Sequence, residues 1–202
     1  MKKFKFERFE KMNDKYYLFS ADIVGYTTLS STISAATLKR LINRLYTRMD
    51  FLVLENGGIK VNMLGDCYQF AIQDDSKNTS DSKIIASRML SIANSLIQYL
   101  ATEQQYLDEK LQMRIGITRG NLFGGENKST FRIGGEAVDV DSESLSEVEF
   151  LEQSCPIGMI HISSKVECLI RDDDKWKNKK ESDDTLKSIT GMSSFFLLPY
   201  LT

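Results

Sequence analysis

Two carboxylates stand where a cation and a polyphosphate could meet. Asp22 lies in Leu18-Phe19-Ser20-Ala21-Asp22-Ile23-Val24-Gly25-Tyr26-Thr27, and Asp66 in Lys60-Val61-Asn62-Met63-Leu64-Gly65-Asp66-Cys67-Tyr68. A lone Asp beside a buried apolar run is costly unless it meets a cation or hydrogen-bond donors. Each lies near a glycine, which lets backbone approach a ligand closely. Together they suggest one shared site for hard metal ions acting on a polyphosphate. Taken singly, Asp66 after Gly65 also suits a hairpin turn with no metal.

The elements that must position these residues follow from periodicity. Tyr16 to Ile23 is apolar on both faces and predicts a central, covered strand that Gly25 ends. Thr27 to Ser31 is rich in hydroxyls and can cap a helix. A helix over Ala35 to Glu55 follows, with Leu38, Ile42, Leu45, Met49 and Leu52 on one face and Lys39, Arg40, Arg44 and Arg48 in solvent. Asn56-Gly57-Gly58 stops it. Ile59 to Leu64 and Cys67 to Ile72 form a hairpin with Asp66 at its tip.

A second amphipathic helix is predicted over Ser82 to Thr102, then strands over Met113 to Thr118 and Thr130 to Gly134, with Gly120 to Gly125 continuing or turning between them. Ala137 to Gln153 reads as a helix, Met159 to Ser163 as a strand, Ser164 to Leu169 as a short helix, and Phe195 to Leu201 as a final strand. Arg171 to Lys187 is charged and reads as a loop or hairpin. The order β-α-β-β-α-β predicts an α+β fold, with helices on one face of a mainly antiparallel sheet.

Composition bounds the rest. A length of 202 residues suits one domain, residues 1–202, with enough chain for a real core. A formal net charge of -2 argues against a nucleic-acid binder that relies on a basic surface. The basic start, Met1 to Arg8, lacks an apolar signal core, and no apolar run approaches membrane-spanning length. Cys67, Cys155 and Cys168 form neither a metal pattern nor a disulfide framework, as expected of thiols in a reducing cytoplasm. The one histidine, His161, alternates with Ile160 and Ile162 and should face the other side of its strand. A histidine-rich zinc site is thereby excluded. The acidic run Asp139, Asp141, Glu143, Glu147, Glu149 and Glu152 reads as a solvated helix face, and Phe195 and Phe196 as core or dimer contacts.

The two aspartate motifs resemble the metal motifs of the class III nucleotidyl cyclases, the adenylate and guanylate cyclase family. Met113-Arg114-Ile115-Gly116-Ile117-Thr118-Arg119-Gly120 is similar to a later strand of that family. Phe131 to Asp139 resembles the segment leading into its catalytic helix, and Ile160-His161-Ile162-Ser163 the strand after it. The resemblance implies a ferredoxin-like βαββαβ domain working as a head-to-tail homodimer with active sites at the interface. It implies that Asp22, the Ile23 carbonyl and Asp66 hold two Mn²⁺ or Mg²⁺ ions, and that backbone amides over Val24 to Thr27, including Gly25 and Tyr26, bind phosphate oxygens.

Where the family reads the base, adenylate cyclases use Lys with Asp or Thr, and guanylate cyclases use Glu with Cys. The matching positions here are Asn62 and Arg132. Arg only donates, while Asn donates and accepts, so the pair suits uracil best and cytosine nearly as well. Arg132 could instead pair with a surface carboxylate. Asp139 stands at the family's ribose-orienting Asn on the catalytic helix, and Glu143 at its transition-state Arg, with Arg119 and Lys128 as possible replacement cations. Thr190 to Phe196 lacks the family's Lys for the triphosphate.

These departures resemble the bacterial Pycsar pyrimidine cyclases, some of which are short, stand-alone domains. The resemblance implies a cytoplasmic cyclase that makes cyclic UMP from UTP, rather than cyclic CMP, as an anti-phage messenger acting on a separate effector. A weak or silent cyclase-homology module that binds a nucleotide or partner, and an atypical adenylate cyclase, remain open alternatives.

Overall fold

Strand β1 (Lys15–Val24) is buried along nearly its whole length and lies between two antiparallel neighbours, β3 (Cys67–Asp74) and β4 (Gln112–Asn121). The computed structural model describes residues 15–103, 111–123, 128–133, 136–177, 179–182 and 193–199. Residues 1–14, 104–110, 124–127, 134–135, 178, 183–192 and 200–202 lie outside that set, and with them parts of the expected loop over 171–187 and of the 190–196 segment.

The main sheet continues through β2 (Ile59–Leu64), β7 (Ile160–Ser163), β8 (Lys179–Glu181) and β9 (Ser194–Leu197), in the order β2-β3-β1-β4-β7-β9-β8. Its first four strands have the expected ferredoxin-like order, and only the β4–β7 pair is parallel. The α+β class and the mainly antiparallel sheet are as the sequence predicts.

Helices α1 (Tyr26–Thr32), α2 (Ala35–Glu55), α3 (Thr79–Glu103) and α5 (Ser164–Ile170) supply one core. There Tyr17, Phe19, Ala21 and Ile23 meet Leu45, Met49, Met89 and Leu96. Phe19 and Phe70 stack in it at 4.4 Å, and each buried ring contributes about 2 kcal/mol. Helix α4 (Ser142–Gln153) is the addition to the expected one-sided arrangement. Its Leu145 and Val148 join Tyr16, Leu18, Ile59, Val61 and Ala71 in a second core on the opposite face.

Four local expectations are corrected. Glu136 to Asp141 is strand β6, paired with β5 (Lys128–Ile133) in a hairpin, and the helix starts only at Ser142. The Asp141 carboxylate accepts from the Ser144 amide at 3.2 Å and so ends the strand by capping the helix. Thr27 to Ser31 lie within α1 themselves, the Ser30 and Ser31 hydroxyls donating back to the Thr27 and Thr28 carbonyls, and Ser34 caps α2 instead. The charged segment after Arg171 is not all loop. A 3-10 turn at Asp174–Trp176 buries Trp176, whose indole donates to Ser87 Oγ at 3.3 Å. The acidic run is not a uniform solvated face: Asp141 and Glu152 are buried, Glu147 accepts from Lys165, and Glu149 accepts from Gln69.

His161 does face away from Ile160 and Ile162, and burial pushes its imidazole down to about 4. It packs on Phe196 and spans Ser194 Oγ and the Leu151 carbonyl, a neutral structural group. All three cysteines are free. Among the described residues no helix is long and apolar enough to cross a membrane.

Candidate active site

Asp22 lies two residues before the end of β1, opposite Cys67 of β3 and Arg114 of β4. The turn Gly65-Asp66 closes the β2–β3 hairpin beside it, and the Ile23 amide donates to the Asp66 carbonyl at 3.3 Å. Burial keeps the Tyr46 phenol protonated, and it donates to the Gly65 carbonyl at 2.6 Å, pinning the hairpin tip to α2. Gly25 has φ 88°, a left-handed turn that a side chain would strain, and this turn starts α1 directly after the strand.

The result is a pocket of about 320 Å³ lined by Asp22, Ile23, Gly25, Tyr26, Thr27 and Asp66, together with Arg114 and Ile157. Two sequence motifs 44 positions apart thus converge, because β1 and the hairpin end at the same edge of the sheet. A larger groove of about 510 Å³ beside α3 holds none of the expected residues; in it Lys83 pairs with Asp172 and Ser87 with Asp173.

The sequence reading missed Arg114 as a site residue. Its guanidinium donates to Asp22 Oδ2 at 2.6 Å and to the Gln153 carbonyl at 3.3 Å, and lies 3.5 Å from Glu152 Oε1. The signal was present: an Arg on an otherwise apolar strand needs an acidic partner, but only cross-strand register shows which one. Arg119, five residues on, is engaged elsewhere, donating to Asp74 Oδ2 at 2.6 Å. It does not line this pocket, and the Lys128 side chain lies outside the described residues.

Glu152 reaches Arg114 from α4. Burial, reinforced by the Asp22 charge and opposed by Arg114, pushes its carboxyl up from 4.5 to about 7. The folded protein therefore holds a proton that the unfolded chain has lost between those values. This group's contribution to stability is full below about pH 4.5 and lost as pH rises to about 7. Glu152→Gln should flatten that fall. Thermal unfolding from pH 5 to 8 checks it, and an unchanged pH slope in the variant would assign the effect to another group.

Hard oxygen donors suit Mg²⁺ or Mn²⁺, and Asp22, the Ile23 carbonyl and Asp66 are such donors around one pocket. Among the described residues no three His, Cys, Asp or Glu side chains cluster as a ligand set. Two carboxylates and a carbonyl fit such ions with water and the oxygens of a bound phosphate completing the shell.

The remaining expected residues lie apart from this pocket's lining. Asn62 is half-buried on β2, and Arg132 is on β5, a strand that runs beside β2; the Arg132 side chain lies outside the described residues. Asp139 is not on a helix. It is exposed on β6 and accepts from Thr130 Oγ1 at 3.0 Å. Glu143 is exposed in the first turn of α4.

Comparison with known proteins gives this geometry a context. A family model described as the adenylate and guanylate cyclase catalytic domain matches residues 9–199. The chain is 24% identical over 188 residues to a membrane guanylyl cyclase of Dictyostelium discoideum, covering 92% of this chain and 12% of that protein. It is 26% identical over 167 residues to an adenylate cyclase of Mycobacterium tuberculosis, covering 81% of this chain and 35% of that one. The chain thus spans about a third or less of the length of these relatives. Among solved structures, a non-canonical dimeric guanylyl cyclase domain of the RhoGC fusion protein from the aquatic fungus Blastocladiella emersonii shares the fold. Its TM-score is 0.71 at 20% identity, covering 94% of this chain and 98% of that domain.

Proposed function

We propose that this chain, which belongs to the adenylate and guanylate cyclase catalytic domain family, converts a nucleoside triphosphate to its 3′,5′-cyclic nucleotide and pyrophosphate. The observation that carries this is the convergence of Asp22, Ile23 and Asp66 on one pocket with the Gly25–Thr28 turn and Arg114. In the reaction the ribose 3′-oxygen bonds to the α-phosphorus, the bond to the β-phosphate oxygen breaks, pyrophosphate leaves, and the hydroxyl proton passes to solvent. Two bound Mn²⁺ or Mg²⁺ ions would lower the pKa of that hydroxyl and stabilise the leaving pyrophosphate. Asp22, the Ile23 carbonyl and Asp66 would hold them. The backbone turn at Gly25, Tyr26 and Thr27 would seat phosphate oxygens, and the Arg114 guanidinium supplies positive charge at the same pocket.

The preferred base is a pyrimidine, UTP over CTP, read by Asn62 and Arg132. Support comes from their residue types and from β5 lying beside β2, which brings the two positions onto neighbouring strands. Asp139 would accept a hydrogen bond from ribose or water, from strand β6 rather than from a helix. The active unit is a homodimer with sites at the interface, as the family resemblance implies. A cytoplasmic role in anti-phage signalling of the Pycsar type, through an effector that senses the product, follows from the resemblance at Asn62 and Arg132.

The test is incubation of the protein with Mn²⁺ and each of the four nucleoside triphosphates, with cyclic products resolved by mass. Cyclic UMP in excess is expected. Cyclic AMP as the main product would overturn the pyrimidine assignment, and no cyclic product at all would overturn the enzyme. Arg132→Ala and Asp139→Ala, which alter separate arms of one hairpin, show which arm reads the base. A second reading, a silent nucleotide-binding module, is favoured by Glu143 at the family's transition-state Arg and by Arg114 already neutralising Asp22. Nucleotide-dependent thermal stabilisation without turnover would establish it.

A further inference from the structure

We infer that Gln69 is a positioning residue that sets which way the Asn62 amide points, and so selects bases with a ring N–H, uracil or guanine, over cytosine and adenine. This rests on the proposed base-reading role of Asn62.

The argument begins with a backbone irregularity. β2 and β3 pair in register at Lys60 and Phe70, then shift, so that Asn62 rather than Val61 stands opposite Gln69. An extra residue in one strand of a pair is a β-bulge, and it changes which face the following side chains use. Without it, alternation would put Asn62 on the face of Tyr68, in the core beneath α2. With it, Asn62 shares the α4 face with Gln69. Directly opposed residues of an antiparallel pair have Cβ atoms about 5 Å apart, within reach of two amides.

Gln69 has its own orientation forced. It is 2% exposed and donates through Nε2 to Glu149 Oε1 of α4 at 2.9 Å. A carboxylate accepts and does not donate, so the amide must turn its nitrogen toward Glu149 and its oxygen away. That oxygen is buried and has no hydrogen-bond partner among the described residues. A buried amide oxygen left without a donor is costly.

Its cross-strand neighbours are Ser20 on β1 and Asn62 on β2. Ser20 Oγ lies 3.7 Å from Cys67 Sγ, and either atom can be the donor there. The amide donor directly across the strand pair is Asn62 Nδ2, which we assign to Gln69 Oε1. Donation from it to Gln69 Oε1 leaves Asn62 Oδ1 facing outward as an acceptor. An outward acceptor matches the ring N–H of uracil or guanine and opposes the ring-nitrogen lone pair of cytosine or adenine. Glu149, Gln69 and Asn62 thus form a polarity relay from α4 to the base.

The test compares Gln69→Met, Glu149→Gln and Asn62→Ala with the parent protein. It measures kcat and KM for UTP and CTP with Mn²⁺, and the stabilisation each nucleotide gives in thermal unfolding, which reads binding even without turnover. Loss of one hydrogen bond predicts that the UTP-over-CTP preference falls about five-fold in Gln69→Met, through KM rather than kcat. Combining it with Asn62→Ala should add nothing further. Glu149→Gln, which lets the Gln69 amide turn over, should lower the preference too, and it carries the test should Gln69→Met fail to fold. An unchanged preference in the Gln69 and Glu149 variants beside a changed one in Asn62→Ala overturns the relay alone. Unchanged preference in all three removes Asn62 from base reading, and the relay with it.

Discussion

Asp66→Asn is expected to lower cyclase turnover by about 10³-fold or more while leaving the melting temperature almost unchanged. The two halves of this expectation come from different atoms. The backbone carbonyl of Asp66 accepts from the Ile23 amide, and the neighbouring Gly65 carbonyl takes the Tyr46 phenol; both bonds survive the substitution. The side chain is partly exposed at the pocket wall, so its amide isostere changes stability by only about 0.5 kcal/mol. What would be lost is one of the two charged oxygens proposed to hold the metal ions. Asp22→Asn should be as inactive but less stable, because it also takes the charged acceptor from Arg114 at 2.6 Å. Turnover and thermal unfolding of the pair separate metal ligation from folding. Activity within ten-fold of the parent in Asp66→Asn would return Asp66 to the role of a turn residue.

Gly116→Ala is expected to destabilise the fold by about 3 kcal/mol, a fall in melting temperature of roughly 10 °C. A methyl at this position of β4 would lie 2.5 Å from the Val148 carbonyl oxygen and closer still to the Glu152 amide nitrogen. Both neighbours are backbone of α4, so no side chain can rotate away; the helix itself must move. That movement would also withdraw Glu152 from Arg114 and Glu149 from Gln69. Turnover should therefore fall along with stability, and nucleotide preference with it. Chemical denaturation reads the first effect. A variant as stable as the parent would show that α4 does not lie so tightly on the sheet.

Much of the fold was legible before any coordinates. The 3.6-residue spacing of Leu38, Leu45 and Met49 placed α2 at Ala35–Glu55, and the doubly apolar run ending at Ile23 marked β1 as central. Both patterns are local, so the sequence carries them directly. Within Ala137 to Gln153, Val138 and Val140 alternate as a strand while Leu145, Val148 and Leu151 repeat as a helix, so no single periodicity spans the segment. Asp141 is the boundary, and its capping bond is what reveals it. Trp176 was hidden in a charged stretch, since one aromatic shows no periodicity.

The candidate site divides in the same way. Residue type and local spacing established Asp22 on a strand, Asp66 at a hairpin tip and Gly25 as the break that ends the strand; the departures at Asn62, Arg132 and Glu143 are legible through the family resemblance. These depend on the chemistry of each side chain and its immediate neighbours. That Asp22 faces Arg114, that Arg119 is spent on Asp74, that Glu152 is buried beside the pair, and that a register shift after Lys60 sets Asn62 opposite Gln69 were decided by strand register and by the seating of α4. Register is a long-range property. A slip of one residue reverses every side chain of a strand, and only the packed sheet chooses among the alternatives.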